Sequence, residues 1–474
     1  MEKMQKVQEN SERYVKVLET LKQIIKDKSV LILGFGREGK STLTKVLEAG
    51  GYSRVAVSDM NPIDVRSGLE RPLAARVMNE GIIIDTVSGE NYLNVLDNYD
   101  VVFKSPGVVL PKDISEYQCD IVSQTEVFFR HYKQQIIGIT GTKGKSTTTT
   151  LLYHILKEAG KKTVLAGNIG IPVFDVSEYI EADSLIVVEL SCHQLEYMTV
   201  SPHIGVLMNI FEEHLDHYGT MEKYVIAKEN IYRNQVAGDI LICNEHNLPK
   251  PGTCMSEIIS IGAAPTKADI CVEDHEIIYD GSTFTIPVDE MNLIGHHNYF
   301  DIGIDYAICK KLGISDEDFR AGVCSYVPLP HRLQPIGVVD GVKYYDDSIS
   351  TICETTIQAL ESLKKAETVI IGGMDRGIDY EDLEVYLDSA HVHNIILMEA
   401  TGHRIYEEIM EHHPDFHKPE RLIVVEHLED AVAKAKEMAN SGEICVMSPA
   451  AASYGIFKNF EERGDVFKKL VLEA

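Results

Sequence analysis

No apolar run in this 474-residue chain approaches the roughly 20 residues that a membrane-spanning helix needs. The opening stretch, MEKMQKVQENSERYVKVLETLKQ, has a charged, helical pattern and lacks an apolar core followed by a small-residue cleavage site, so it is not read as an export signal. The nine cysteines include no CxxC pair, which excludes the usual zinc spacings. Their odd number and scatter also exclude a disulfide framework. Reduced thiols in a cytoplasmic protein fit best. Positive charge is scarce: 45 Lys and Arg stand against 73 Asp and Glu, a formal net charge of -28. A nucleic-acid partner is therefore not expected, because neutralising phosphates needs a basic face. An anionic small molecule would have to be held by a few placed cations, helix N-termini and a metal ion.

The composition is otherwise that of a soluble globular protein, with 44% hydrophobic and 25% charged residues. A single core stops growing at about 250–300 residues, so this length calls for several domains. The expected class is α/β with three domains. KSVLILGFGREGKSTLTKVLEAGG reads as strand, glycine turn and amphipathic helix, and SRVAVSDMNP as a second strand ending in Asp59, together a Rossmann-like βαβ start. This N-terminal domain is expected to span residues 1–125. The alternation restarts at QQIIGIT for a central phosphate-loop domain over 126–326, in which 240–290 is expected to form an antiparallel appendage. VPLPHR reads as a linker, and strands and helices alternate again through a Rossmann-like C-terminal domain over 327–474.

The strongest chemical signal is Gly141-Thr142-Lys143-Gly144-Lys145-Ser146-Thr147 between a strand and a helix. In such a loop, backbone N–H groups and the helix N-terminus surround phosphate, the lysine reaches the terminal phosphates and the serine hydroxyl binds Mg²⁺. The spacing departs from GxxxxGK[ST], since Ile139 stands where the first glycine would be. The earlier turn, Gly34-Phe35-Gly36-Arg37-Glu38-Gly39 with Asp59 20 residues beyond Gly39, has the dinucleotide form GxGxxG, which alone is weak evidence for NAD. Other residues are bland in isolation: Glu189 is a strand-end carboxylate, His214 a surface histidine and Lys228 an exposed lysine on a helix.

Their joint order is not bland. ITGTKGKST resembles the altered phosphate loop of Mur ligases and folylpolyglutamate synthases. Gly167-Asn168-Ile169-Gly170 looks like the family's GNIG turn, and Glu189-Leu190-Ser191 with Gln194-Leu195-Glu196 is similar to its ELSSFQLE segment. NIFEEHLDHY from Asn209 resembles the histidine-bearing loop, and Ala227-Lys228 with Ile231-Tyr232 the AKxxIY helix. His297-Asn298, Pro330-His331-Arg332, Asp346-Asp347-Ser348, Gly372-Gly373 and Ser448-Pro449-Ala450 continue the series, and Phe457-Lys458-Asn459-Phe460-Glu461 with Arg463-Gly464 is similar to the FKNFEQRG signature of the family's glutamate-adding branch.

That resemblance to the Mur ligase family implies an ATP- and Mg²⁺-dependent amide ligase of peptidoglycan precursor synthesis. It would join glutamate, D-glutamate before L-glutamate, to UDP-N-acetylmuramoyl-L-alanine through an acyl phosphate, as a cytoplasmic monomer. The implied ATP contacts are Gly141 to Thr147 with Asn298, Arg332 and Asp347. Lys145, Glu189, His214 and Lys228 are the implied catalytic residues, and Ser146, Glu189, His214 and a carbamylated Lys228 the implied metal ligands. The UDP precursor would be held by Gly36, Arg37, Glu38, Asp59, Gly107, Asn168 and Ser191, and glutamate by Thr351, Arg376, Ser453 and Phe460. Two departures stand out: Asp301 replaces the last asparagine of GxHNxxN, and Ile349 replaces the lysine of DSKAT. A folylpolyglutamate synthase lacks the N-terminal UDP domain and the FKNFEERG segment. A phosphate-loop transporter or switch ATPase would leave the third domain without a role. A non-catalytic descendant would not need to keep Lys145, Ser146, Glu189, His214 and Lys228.

Overall fold

The computed structural model describes residues 17–473 apart from Glu70 and Lys418. Of the expected leading helix, residues 17–25 are helical and the remainder lies outside the described residues. The chain forms two compact units, Met1–Ile286 with Phe300–Val323, and Pro287–Tyr299 with Cys324–Ala474. No helix among the described residues is long and apolar enough to cross a membrane.

The first unit carries two sheets. In the smaller, five strands lie in the order Ile84–Ser88, Arg54–Asp59, Ser29–Leu33, Val101–Lys104, Asp120–Val122, all parallel. Their burial follows from runs such as VLIL and VAV, apolar on both faces because helices cover both sides of a parallel sheet. The strand order reverses between Ser29–Leu33 and Val101–Lys104, the switch point where open α/β sheets bind ligands. The GxGxxG turn leaves the first of these strands, and Ser105-Pro106-Gly107 leaves the second.

The larger sheet has nine strands in the order Ser282–Thr285, Glu276–Tyr279, Ile270–Glu273, Glu257–Ala263, Ile240–Asn244, Ile204–Leu207, Ile136–Thr140, Leu185–Glu189, Thr163–Gly167. Only the hairpin pairs among the first three strands are antiparallel. The expectation of an antiparallel appendage over all of 240–290 is thus corrected, because Ile240–Asn244 and Glu257–Ala263 extend the parallel sheet. Their composition explains it. ILIC is apolar at every position and buried in the middle of the sheet, whereas EIIY and STFT alternate buried and exposed residues as a one-sided antiparallel ribbon does.

The second unit has a six-stranded sheet in the order Gln334–Val339, Val342–Asp346, Ile444–Met447, Ala366–Gly372, Asn394–Met398, Leu422–Val425. Its first pair is an antiparallel hairpin and the others are parallel. Asp340 and Gly341 turn that hairpin with φ of 51° and 83°. This is the left-handed pair that an Asp-Gly two-residue loop supplies. A core of Val369, Ile371, Ile395, Leu397 and Val446 fills one face, and Phe467 and Val471 of the closing helix Phe460–Leu472 pack on the other.

Candidate functional site

The phosphate loop joins the fully buried strand Ile136–Thr140 to the helix Lys145–Glu158. Gly144 caps that helix at φ 86°, where a side chain is strained, and a Cβ there would lie 2.5 Å from Met208 and 2.9 Å from Asp301. Gly141 is constrained by proximity, since its Cβ would meet that of Met208 at 2.9 Å. The loop is therefore compact because two of its residues have no side chains. The Lys145 ammonium folds back on it, donating to the carbonyls of Gly141 at 3.0 Å and Thr142 at 2.9 Å. Burial lowers the Lys145 pKa, opposed by the charges of Glu189 and Glu213. Lys143, by contrast, is exposed and pairs with Glu213 at 2.9 Å.

Lys228 overturns the bland reading of an exposed helix lysine. It is only 1% exposed on the helix Met221–Glu229, and its Nζ donates to the same Gly141 carbonyl at 2.7 Å. Its cation lies 4.9 Å from the centre of the Tyr224 ring. Burial, reinforced by the charge of Lys145, pulls its pKa down to about 8. With that pKa about a tenth of this amine is unprotonated at pH 7, far more than of an ordinary lysine, and the unprotonated amine is the nucleophilic form that CO₂ requires for carbamylation.

Glu189 ends the strand Leu185–Glu189 in a buried position. One oxygen accepts from Asn168 Nδ2 at 2.7 Å, and the other is buried without a hydrogen-bond partner among the described residues. The GNIG turn brings Asn168 there, for Gly167 has φ 100° and its Cβ would strike the Glu189 carbonyl at 2.2 Å. An orphaned carboxylate oxygen in the interior is costly unless a cation or donor meets it, so Glu189 fits a hard metal ion. His214 is half exposed, at φ 57°, with its ring 4.9 Å from that of His193 and its Nε2 3.8 Å from Glu213. Burial and the neighbouring His217 and His214 lower the His193 pKa to about 4. Among the described residues no three His, Cys, Asp or Glu side chains converge into a metal cage. A magnesium ion does not need one, since it keeps waters and takes substrate phosphate oxygens beside one or two protein carboxylates.

The precursor candidates cluster at the GxGxxG turn of the same unit. Gly34 sits at φ 87° against Ser105, and a Cβ on Gly39 would overlap the Gly34 carbonyl at 1.9 Å. Gly36 is the N-cap of the helix Arg37–Ala49, and Gly107 has open space where a Cβ would be. Asp59 accepts the Phe35 N–H at 2.6 Å and the Asn61 N–H at 2.7 Å, fixing the turn. Arg37 donates to the Gly170 carbonyl at 2.9 Å, tying this turn to the GNIG turn. Glu38 accepts from Gln194 at 2.7 Å, and Gln194 in turn forms a capping box with Ser191. Two residues that the sequence reading did not assign to the precursor also lie here: Gln194, and Lys104, a buried cation 3.7 Å from Glu196.

In the second unit, Asp347 is buried at the end of the strand Val342–Asp346. It accepts Ser350 Oγ at 2.6 Å, Ser448 Oγ at 2.7 Å and the Leu333 N–H at 3.1 Å. Burial nevertheless outweighs these donors and lifts its pKa to about 6. Arg376 reaches the Thr351 carbonyl at 2.6 Å, so these two glutamate candidates meet. Ser453 is buried, and the Phe460 carbonyl accepts Ser348 Oγ at 2.8 Å. Asn298 donates to the Ile294 carbonyl at 2.6 Å, and Arg332 follows His331, whose ring bonds Asp346 at 2.6 Å. That bond raises the His331 pKa.

The Arg-Gly of the FKNFEERG segment is explained by this neighbourhood. Arg463 is fully buried and bonds Ser348 Oγ at 3.0 Å, the Ser348 carbonyl at 2.9 Å and the Ala451 carbonyl at 3.0 Å. A Cβ on Gly464 would run into His331 Nδ1 at 2.1 Å, so only glycine lets the helix lie on the His331–Asp346 pair. Replacing Arg463 by leucine is expected to destabilise the protein by about 3 kcal/mol or more, since buried acceptors lose their charged donor. Urea unfolding of wild type and variant checks this, and an unchanged midpoint would show that the guanidinium does not hold the two loops.

Comparison with known proteins places this geometry. The Mur ligase middle domain model matches residues 139–301. The UDP-N-acetylmuramoylalanine–D-glutamate ligase of Clostridium kluyveri is 33% identical over 472 residues, covering 95% of this chain and 98% of that one. Among solved structures, the UDP-N-acetylmuramoylalanyl-D-glutamyl-2,6-diaminopimelate–D-alanyl-D-alanyl ligase from Acinetobacter baumannii shares the fold. Its TM-score is 0.61 at 16% identity, over 96% of this chain and 98% of that one. The MurF ligase from Thermotoga maritima in complex with ADP gives a TM-score of 0.57 at 16% identity, over 95% and 96% of the two chains. At a third identity along nearly its whole length, the chain belongs to the Mur ligase family.

Proposed function

We propose that this protein uses ATP to join D-glutamate to UDP-N-acetylmuramoyl-L-alanine, a step in peptidoglycan precursor synthesis in the cytoplasm. The observation that carries the reading is the convergence of Lys145 and Lys228 on the Gly141 carbonyl of the phosphate loop. The Lys145 ammonium at the end of the loop is placed to meet the charge of a nucleotide's phosphates, and the buried Lys228 nitrogen lies against the same carbonyl, where its carbamylated form would face the metal. An oxygen of the precursor's alanyl carboxylate attacks the γ-phosphorus and ADP leaves. The glutamate amine then attacks the acyl carbon, loses a proton, and phosphate departs with that carboxylate oxygen.

Lys145 neutralises the transferring phosphoryl group, and the helix N-terminus at Lys145 to Thr147 adds N–H donors. Ser146, Glu189, His214 and carbamylated Lys228 would hold Mg²⁺, which supplies Lewis-acid stabilisation of the phosphoryl oxygens when bound. Asn168 orients Glu189. Asn298, Arg332 and Asp347 are assigned to ATP, and Thr351, Arg376, Ser453 and Phe460 to glutamate. Arg376 offers a planar fork for a carboxylate. The three domains of the sequence reading, 1–125, 126–326 and 327–474, would hold the UDP precursor, ATP and glutamate in turn.

One observation opens a second reading. Ile349, half-buried in the Asp347–Thr351 loop, puts an apolar side chain where the family's DSKAT has a lysine, so either Arg376 supplies the carboxylate contact and D-glutamate is kept, or the pocket is reshaped for L-glutamate. Differences of a few kcal/mol suffice to reverse such a preference. The test is kcat/KM for both enantiomers with UDP-N-acetylmuramoyl-L-alanine and ATP. The account expects at least a tenfold preference for D-glutamate, and a tenfold preference for L-glutamate would assign the Ile349 loop the opposite selectivity.

A further inference from the structure

The phosphate loop lacks the first glycine of GxxxxGK[ST], Ile139 standing in its place, and its shape needs another support. Asn209, just beyond the strand Ile204–Leu207, provides this with its side-chain amide and its backbone carbonyl. Its Oδ1 accepts the N–H of Thr142 at 3.0 Å and of Lys143 at 2.8 Å, and its Nδ2 donates to the Lys143 carbonyl at 3.0 Å. Its backbone carbonyl also accepts the Thr142 N–H at 2.9 Å. The Thr142 side chain completes the junction, accepting the Phe211 N–H at 2.9 Å and meeting the Tyr224 hydroxyl at 3.0 Å.

An ordinary phosphate loop presents successive N–H groups to the nucleotide. Here the N–H groups of Thr142 and Lys143 are already spent on Asn209. The remaining donors are those of the first turn of the helix, which no helix can satisfy internally. We propose that Asn209 is a positioning residue for the phosphoryl donor: it fixes the loop in its binding shape before nucleotide arrives and directs phosphate to the N–H groups of Lys145, Ser146 and Thr147. Only a primary amide of this length can accept twice and donate once at this place. Aspartate keeps the acceptors, loses the donor and adds a negative charge beside the phosphates.

This inference rests on the ATP-dependent reading, so its test has an arm that does not need turnover. Hydrogen exchange of the segment 140–147 is measured in the nucleotide-free protein, ADP affinity by calorimetry, and KM for each substrate in the full reaction, for wild type, Asn209→Ala and Asn209→Asp. The alanine variant is expected to exchange faster in this segment and not elsewhere. Its ADP affinity should weaken and its KM for ATP rise tenfold or more, with KM for the precursor and for glutamate within twofold of wild type. The aspartate variant should recover much of the loop's protection without recovering nucleotide affinity, a split that a purely structural role would not give. A folded alanine variant with unchanged loop exchange or wild-type ADP affinity overturns the proposal, as does an aspartate variant that binds ADP like wild type. Absence of ATP-dependent product from wild type would instead defeat the ligase reading, while the exchange and ADP results would still decide the role of Asn209.

Discussion

Replacing Lys145 by alanine is expected to lower kcat by more than 100-fold while leaving the fold intact. The size follows from removing a preorganised charge aimed at a phosphoryl group in transfer, an effect of about 10²–10³ for single stabilising donors. The fold should survive because, among the described residues, the ammonium bonds only the Gly141 and Thr142 carbonyls. Asn209 and Thr142 also continue to anchor the loop. Circular dichroism and steady-state kinetics measure the two halves of this prediction. A folded variant with near-wild-type turnover would remove Lys145 from the chemistry.

The Lys228→Ala variant is also expected to lose more than 100-fold, for a different reason. A buried ammonium beside Lys145 costs stability, and its pKa of about 8 lies below the ordinary value of a lysine. The sign of the linkage follows. Between about pH 8 and the unfolded value the unfolded chain binds more protons than the folded one, so this group's contribution to stability rises with pH over that window and is unfavourable below it. Carbamylation would replace the like-charge repulsion between Lys228 and Lys145 by attraction, since it turns the amine into an anion. It would consume the neutral form that burial favours, and Lys145 would remain as donor to the Gly141 carbonyl. Depleting CO₂ should therefore lower wild-type activity, and bicarbonate should restore it. Formate or acetate should partly rescue Lys228→Ala by supplying an oxygen anion at the vacated place. Activity indifferent to CO₂, together with an active alanine variant, would leave Lys228 as a structural amine.

Much of this architecture was legible because the signals are local. The glycines at 34, 36 and 39 and the apolar run VLIL specify the first turn and strand within a dozen residues, and the strand–loop–helix around Lys145 is equally self-contained. What the sequence concealed depends on partners far along the chain. Helical periodicity alone makes Lys228 a surface lysine, and it is buried because the loop 87 residues earlier lies over it. The roles of Asn209 and Arg463 likewise reside in contacts across 66 and 115 residues. Two further points could have been read. The unbroken ILIC run marks Ile240–Asn244 as a buried parallel strand, and Asp340-Gly341 between two β-rich runs marks the hairpin at Gln334–Asp346. The resemblance that ordered the site residues supplied their roles, whereas the structure supplied reasons for the glycines, the Arg463 latch and the buried amine.

The central claim is that an acyl phosphate links ATP cleavage to amide formation, and oxygen transfer tests it most directly. UDP-N-acetylmuramoyl-L-alanine labelled with ¹⁸O in both alanyl carboxylate oxygens is turned over with ATP, Mg²⁺ and glutamate, and product and phosphate are analysed by mass spectrometry. The account predicts one ¹⁸O in each inorganic phosphate and one in the new amide, with ADP formed in equal amount. Amide formed alongside unlabelled phosphate would contradict it.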